Sequence, residues 1–172
     1  MLQVLDRVHR VAYAALSQRC TRALAERWCA EMHYELVAFD TRDPTHNDAP
    51  LYHTNIVLSI GSSAALVCSD VIAAEHRAAV RNALGRHRTV VELSVAQTLT
   101  AFCGNALELR GGDGRRLLFM SGSAAEALSA EQRQALVPTH VDEIVGVHIP
   151  TLQTVGGGSV RCMIAELFAP VQ

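Results

Sequence analysis

Two residues far apart in the chain have the chemistry of a covalent catalyst. Cys162 follows the run Gly156-Gly157-Gly158-Ser159 and precedes the apolar stretch Met163-Ile164-Ala165. Glycine lets backbone N–H groups approach a reacting centre from several directions, where they would favour a thiolate. His53 stands in Tyr52-His53-Thr54-Asn55, just ahead of the strand-like run Ile56 to Ile60. A thiolate is a far stronger nucleophile at neutral pH than a hydroxyl, and an imidazole, with an ordinary pKa of ~6.5, can give and retrieve a proton. Cys162 is the candidate nucleophile and His53 the candidate acid/base. A papain-like arrangement fits less well, because such enzymes place the cysteine first and on a helix.

Composition removes several alternatives. The 172 residues suffice for one domain with a core. A net charge of −2 leaves no electrostatic footprint for nucleic acid or an anionic membrane. All 15 basic residues are arginine, so Schiff-base chemistry and a phosphate-loop lysine are excluded. The cysteines (Cys20, Cys29, Cys68, Cys103 and Cys162) are odd in number, form no Cys-x-x-Cys pair and follow no signal peptide, which reads as a reducing, cytoplasmic setting. Cys20, Cys29 and Cys68 sit in apolar patterns and read as core. The 8 histidines lack metal-ligand spacing, so no metal site is expected.

A repeat must position the two candidates. Ala12 to Ser17, Ala64 to Ser69 and Arg116 to Ser121 are apolar runs whose closing serines fall at equal intervals. Each is preceded across a turn by a shorter apolar stretch (Val4 to Asp6, Ile56 to Ile60, Ala106 to Leu109), with Asp113-Gly114 the strongest hairpin signal. Each is followed by a helix-period segment: Thr21 to Met32, Ala74 to Arg86, and Ala124 to Leu136, the last with a capping-box pattern at Ser123 and Glu126. A further apolar strand closes each unit: Glu35 to Phe39, Thr89 to Leu93, Glu143 to Ile149. The pattern predicts an α/β fold of three β-β-α-β modules that bury their faces against one another. Thr41 to Tyr52 and Ser94 to Gly104 read as irregular connections.

This organisation, with Tyr52-His53-Thr54-Asn55, Phe102-Cys103-Gly104-Asn105-Ala106-Leu107-Glu108-Leu109 and Gly-Gly-Gly-Ser-Val-Arg-Cys-Met, resembles the pentein superfamily of guanidine-modifying enzymes. It is most similar to the amidinotransferase-like branch with the citrulline utilization hydrolases, which is related to arginine deiminases and dimethylarginine dimethylaminohydrolases. The resemblance implies three modules of a five-module α/β propeller, here an incomplete ring: about 4–40, 55–94 and 105–149, with a closing strand at about 162–168, all in one partial domain over 1–172. It also implies that the cysteine attacks the central carbon of a guanidino or ureido group and that the histidine protonates the leaving amine and then activates water. By motif these are Cys162 and His53. Asn105 and Asn55 would line the pocket, though either asparagine can equally cap a turn. Cys103 reads as structural, and no metal or organic cofactor is implied.

The chain departs from the pattern at its start, Met1-Leu2-Gln3-Val4-Leu5-Asp6. The family's earlier modules carry carboxylates that grip the cationic substrate and a glutamate that orients the histidine; Asp6, Asp40, Asp43, Asp48, Asp70 and Glu108 are the nearby substitutes. The expected function is the C-terminal part of a hydrolase acting on C–N bonds of a guanidino or ureido amino acid of the citrulline or arginine type. The alternative is a non-catalytic, truncated pentein fragment serving as a binding or assembly module. The expected partners are that small molecule and either a second copy of the chain or a missing N-terminal half.

Overall fold

The structure is a computed structural model describing residues 3–166. Its first module runs β1 (Gln3–Asp6), β2 (Val11–Ala15), α1 (Arg22–Met32) and β3 (Glu35–Phe39). The hairpin β1/β2 pairs Val4 with Tyr13 and Leu5 with Ala12, and β2 then pairs parallel to β3, Ala12 opposite Leu36. A parallel pair needs a crossover, which α1 supplies. All five residues of β2 are buried, as the middle strand covered on both faces requires.

The second module follows through α2 (Thr54–Val57) into β4 (Leu58–Ile60), β5 (Ala64–Val67), α3 (Ala74–Gly85) and β6 (Thr89–Glu92). After α4 (Val95–Leu99), the third has β7 (Leu107–Arg110), β8 (Arg116–Ser121), α5 (Gly122–Ala127), α6 (Ala130–Leu136) and β9 (Glu143–Val147). All three sheets share one topology: the first strand antiparallel to the second and the second parallel to the third. The first strands line up around a common axis, β1 beside β4 and β4 beside β7. Each later module lays a helix on the third strand of the one before, α3 on β3 and α6 on β6, and the result is an open arc, not a closed barrel. One core of Tyr13, Phe39, Leu58, Leu66, Leu84, Met120 and Leu136 runs through the arc. Among the described residues, no helix is long and apolar enough to cross a membrane.

Local chemistry moves several boundaries. Leu128 is extended (φ −66, ψ 133), so the third helical segment is two helices. Ser129 then starts the second with a capping box to Gln132, while Ser121 caps the first by accepting from the Ala124 N–H at 3.2 Å. The pattern at Ser123 and Glu126 is not the cap. Ser hydroxyls compete with helix continuation in this way. The connection Ser94 to Gly104 holds α4, whose own capping box joins Ser94 and Gln97. Ile56 and Val57, expected in a strand, belong to α2.

The C-terminal region departs most. Pro150–Gly156 forms a helix, α7, with proline in its first turn, and Gly157 ends it in the left-handed region (φ 65) with its N–H returning to the Gln153 carbonyl at 3.1 Å. Val160–Met163 is then a single 3₁₀ turn, not the start of a strand, and residues 164–166 pair with no ladder. The chain has just reversed through glycines, and the Cys162 N–H is shared between the Ser159 carbonyl at 3.0 Å and Asn105 Oδ1 at 3.3 Å, so it joins no strand ladder. Leu167 and Phe168, the rest of the expected closing strand, lie outside the described residues.

Candidate active site

Three of the four candidate residues converge. Asn105 Nδ2 donates to Cys162 Sγ at 3.2 Å, Asn55 Nδ2 donates to the same sulfur at 3.5 Å, and the Cys162 N–H donates to Asn105 Oδ1 at 3.3 Å. Asn105 Nδ2 also donates to the Asn55 carbonyl at 3.0 Å, so one amide ties the second module's entry to the sulfur. Both asparagines are buried, at 2% and 0% exposure, and Cys162 is the exposed member of the five cysteines. Asn55 Oδ1 is buried without a hydrogen-bond partner among the described residues. A buried open acceptor is uncommon in a folded protein and marks a place where an N–H donor would be welcome.

The segments meet because two glycines allow it. A Cβ on Gly104 would stand 2.1 Å from the Ile56 carbonyl oxygen, so only glycine lets the Asn105 loop press against α2. A Cβ on Gly158 would come within 3.2 Å of Cys162 Cβ, which is tight packing of the glycine run against the nucleophile. The run's N–H groups do not reach the sulfur as expected; side-chain amides of Asn55 and Asn105 do.

His53 caps α2 without a side-chain hydrogen bond, and no hydrogen bond joins it to Cys162. Burial lowers its pKa from the ordinary value, and the Arg19 guanidinium lowers it further. Arg19 lies over the Tyr52 ring, 5.1 Å from its centroid, and has no carboxylate partner among the described residues. Sequence reasoning missed it, and its signal was only that it shares a turn with Cys20 and Thr21 at the foot of α1.

A cleft of about 620 Å³ opens beside Asn55, walled also by Asp6, Arg19, Arg88, Glu108 and Arg161, with Trp28 and Leu24 on its apolar side; Cys162, Asn105 and His53 do not line it. Of the six substitute carboxylates, only Asp6 and Glu108 reach it. Asp6 is committed to Arg88, 2.5 Å away in a pair exposed by 2% and 3%, whereas among the described residues Glu108 accepts only from the Ser62 N–H at 3.0 Å. Asp40, Asp43 and Asp70 pair elsewhere, with His76, His46 and Arg77. No group of three His, Cys, Asp or Glu side chains that would hold a metal ion occurs among the described residues.

Three β-β-α-β modules set around one axis, with a cysteine turn held against the entry to the middle module, define the pentein class of guanidine-modifying proteins. The family model for N,N dimethylarginine dimethylhydrolase, eukaryotic, matches residues 2–169, and the chain belongs to that family. Among solved structures it is similar to apo ArgZ, an arginine dihydrolase from the ornithine-ammonia cycle in cyanobacteria, with a TM-score of 0.69 and 15% identity over 98% of this chain and 25% of that one. The N-terminal domain of ArgZ bound to product gives a TM-score of 0.69 and 15% identity, covering 94% of this chain and 53% of that one. AgrE in its ternary complex with ornithine and NAD+ gives a TM-score of 0.73 and 13% identity, covering 99% and 22%. At these identities the likeness is one of fold. The chain spans about a quarter of the whole ArgZ chain and about half of its N-terminal domain. No curated protein matches it in sequence.

Proposed function

We propose that the chain carries the nucleophile and acid/base of a hydrolase acting on C–N bonds of a guanidino or ureido amino acid. The observation that carries this reading is the exposed Cys162 sulfur receiving N–H groups from two buried asparagine amides, one of which, Asn55, lines the cleft. Those two bonds hold the sulfur in one position, as a nucleophile requires. Cys162 attacks the central carbon of the substrate; His53 gives a proton to the departing nitrogen as the C–N bond breaks, leaving a covalent cysteine adduct. His53 then takes a proton from water, which attacks the adduct and releases the thiolate. Substrate lies between the two side chains, so a direct hydrogen bond between them is not required.

Asn55 and Asn105 would serve as substrate-binding as well as sulfur-holding groups, with Asn55 Oδ1 accepting an N–H of the guanidino or ureido group. Arg19, with no carboxylate of its own, suits the carboxylate of an amino acid. The remaining cation-gripping carboxylates would come from a second copy or from an N-terminal half, making this one partial pentein unit. Substrates in keeping with the relatives' names are arginine and methylated arginines, and citrulline is added as the ureido counterpart. The test is an assay for ammonia, ornithine, citrulline and dimethylamine from those compounds, with Cys162→Ala as control and mass spectrometry for the adduct. Turnover that survives Cys162→Ala would refute the assignment.

One observation favours a second reading, a non-catalytic binding or assembly module: the His53 ring has no orienting carboxylate among the described residues. Binding of these amino acids without turnover or adduct would support it.

A further inference from the structure

We propose that Gln153 is a positioning residue for the nucleophile: its side-chain amide fixes the turn that carries Cys162 and ties that turn to the third module. The inference rests on reading Cys162 as the nucleophile. Gln153 lies half-buried on α7 and bridges two hydroxyls. Ser159 Oγ donates to its Oε1 at 3.4 Å, and its Nε2 donates to Ser123 Oγ at 3.2 Å. Ser159 is fully buried and its carbonyl accepts the Cys162 N–H. On the other side Ser123 Oγ lies 3.1 Å from Ser121 Oγ, the cap of α5 at the end of β8. The polar chain therefore runs unbroken from the last residue of a core strand, through Gln153, to the nucleophile's turn.

Such a bridge has a physical reason. Gly156, Gly157 and Gly158 have no side chains to pack and the greatest backbone freedom to lose, so they cannot fix where the following turn sits. Gln153 controls the run at both levels, its carbonyl taking the Gly157 N–H and its amide taking Ser159. Asn105 grips the sulfur and N–H of Cys162 from one side, while Gln153 grips the residue three places earlier from the other. With one anchor missing, the sulfur pivots away from the two amide donors that hold it.

The experiment is the rate of Cys162 alkylation by iodoacetamide at fixed neutral pH, read by mass spectrometry, alongside thermal melts and kcat and KM for any substrate the wild type turns over. Gln153→Met keeps length and helix propensity but bridges nothing; Gln153→Glu still accepts from both hydroxyls. Ser159→Ala cuts the same bond from the other end, so the test survives if one variant fails to fold. The expected result is alkylation slowed about fivefold in Gln153→Met and Ser159→Ala, the effect of one lost neutral hydrogen bond. Melting is unchanged, kcat falls at constant KM, and Gln153→Glu stays near wild type. Wild-type alkylation rates in both Gln153→Met and Ser159→Ala, or an equal loss in Gln153→Glu, overturn the proposal. If alkylation responds while the wild type turns over nothing, Gln153 keeps its role and the hydrolase reading falls.

Discussion

Asn105 and Cys162 bond each other twice, amide nitrogen to sulfur at 3.2 Å and cysteine N–H to amide oxygen at 3.3 Å. Only a carboxamide can face the cysteine in this way, because one end must donate while the other accepts. Asn105→Asp keeps the acceptor, removes the donor and sets a carboxylate beside the sulfur. The expected outcome is alkylation of Cys162 slowed by about tenfold or more, in the range of one charge-assisted hydrogen bond, with any turnover reduced in proportion. Alkylation kinetics with parallel melting curves check it, and an unchanged rate would remove the amide from the account of reactivity.

The cysteines sort themselves by environment. Cys20, Cys29, Cys68 and Cys103 are buried, Cys162 is exposed, and burial pushes the Cys103 thiol up to about 11. Burial raises Cys20 and Cys29 as well. Native protein treated with iodoacetamide is therefore expected to take one label, at Cys162, and five labels after denaturation. Peptide mapping decides the matter; rapid native labelling at Cys103 would contradict the packing described.

Much of this arrangement was legible in the chain, and the gaps have physical causes. The three serines at equal intervals marked the repeat because each stands at or just past the end of a middle strand, where apolar pattern is strongest. Cys162, Asn55 and Asn105 were found through motif. Their meeting was not, since it depends on a close approach of Gly104 to the Ile56 carbonyl that no local pattern encodes. The break at Leu128 was hidden because Ala124 to Leu136 has helical period throughout, and only the competing cap at Ser129 ends the first helix. The Cys162 turn was misread as a strand for the converse reason: Val160, Met163 and Ile164 look strand-like, but preceding glycines and the Ser159 carbonyl close the backbone into a turn. Gln153 carries no sequence signal and Arg19 only its place in a turn before α1; each matters through what lies across from it in space.

His53 is expected to titrate below the ordinary histidine range, because burial and the nearby Arg19 charge both disfavour its protonated form. Arg19→Gln removes one of these causes, so the His53 midpoint should rise toward ~6.5. Proton NMR of the imidazole resonances across pH measures the shift without any substrate.

Tyr13 has a buried hydroxyl with no hydrogen-bond partner among the described residues, and burial pushes its pKa up to about 12. The ring is part of the core, while the hydroxyl has given up water for nothing in return. Tyr13→Phe keeps the packing and removes the orphan group, so stability should hold or rise by about 1 kcal/mol. Urea denaturation at neutral pH gives the answer, and a loss of more than about 1 kcal/mol would mean that the hydroxyl has a partner.

The Asp6–Arg88 pair joins the first and second modules, since Arg88 also donates from Nε to the Gly61 carbonyl at 2.7 Å. Burial alone would raise the Asp6 pKa, but the hydrogen bonds from Arg88 and His9 outweigh it and hold the carboxyl at about 2. Because this lies below the unfolded value of ~3.9, the ionised carboxylate contributes stability at every pH above about 4, on the order of 2 kcal/mol, and surrenders it as pH falls toward 2. Asp6→Asn should therefore flatten the acid limb of the stability curve between about pH 4 and 2. At neutral pH it should cost about 3 to 5 kcal/mol, because Arg88 is left buried without its counter-charge. Asp6→Asn with Arg88→Met should recover most of that loss, since no charge then remains in the junction. Denaturant melts of the three proteins from pH 2 to pH 7 separate these effects, and a double variant as weak as Asp6→Asn would show that the junction depends on Arg88 packing and not on the pair.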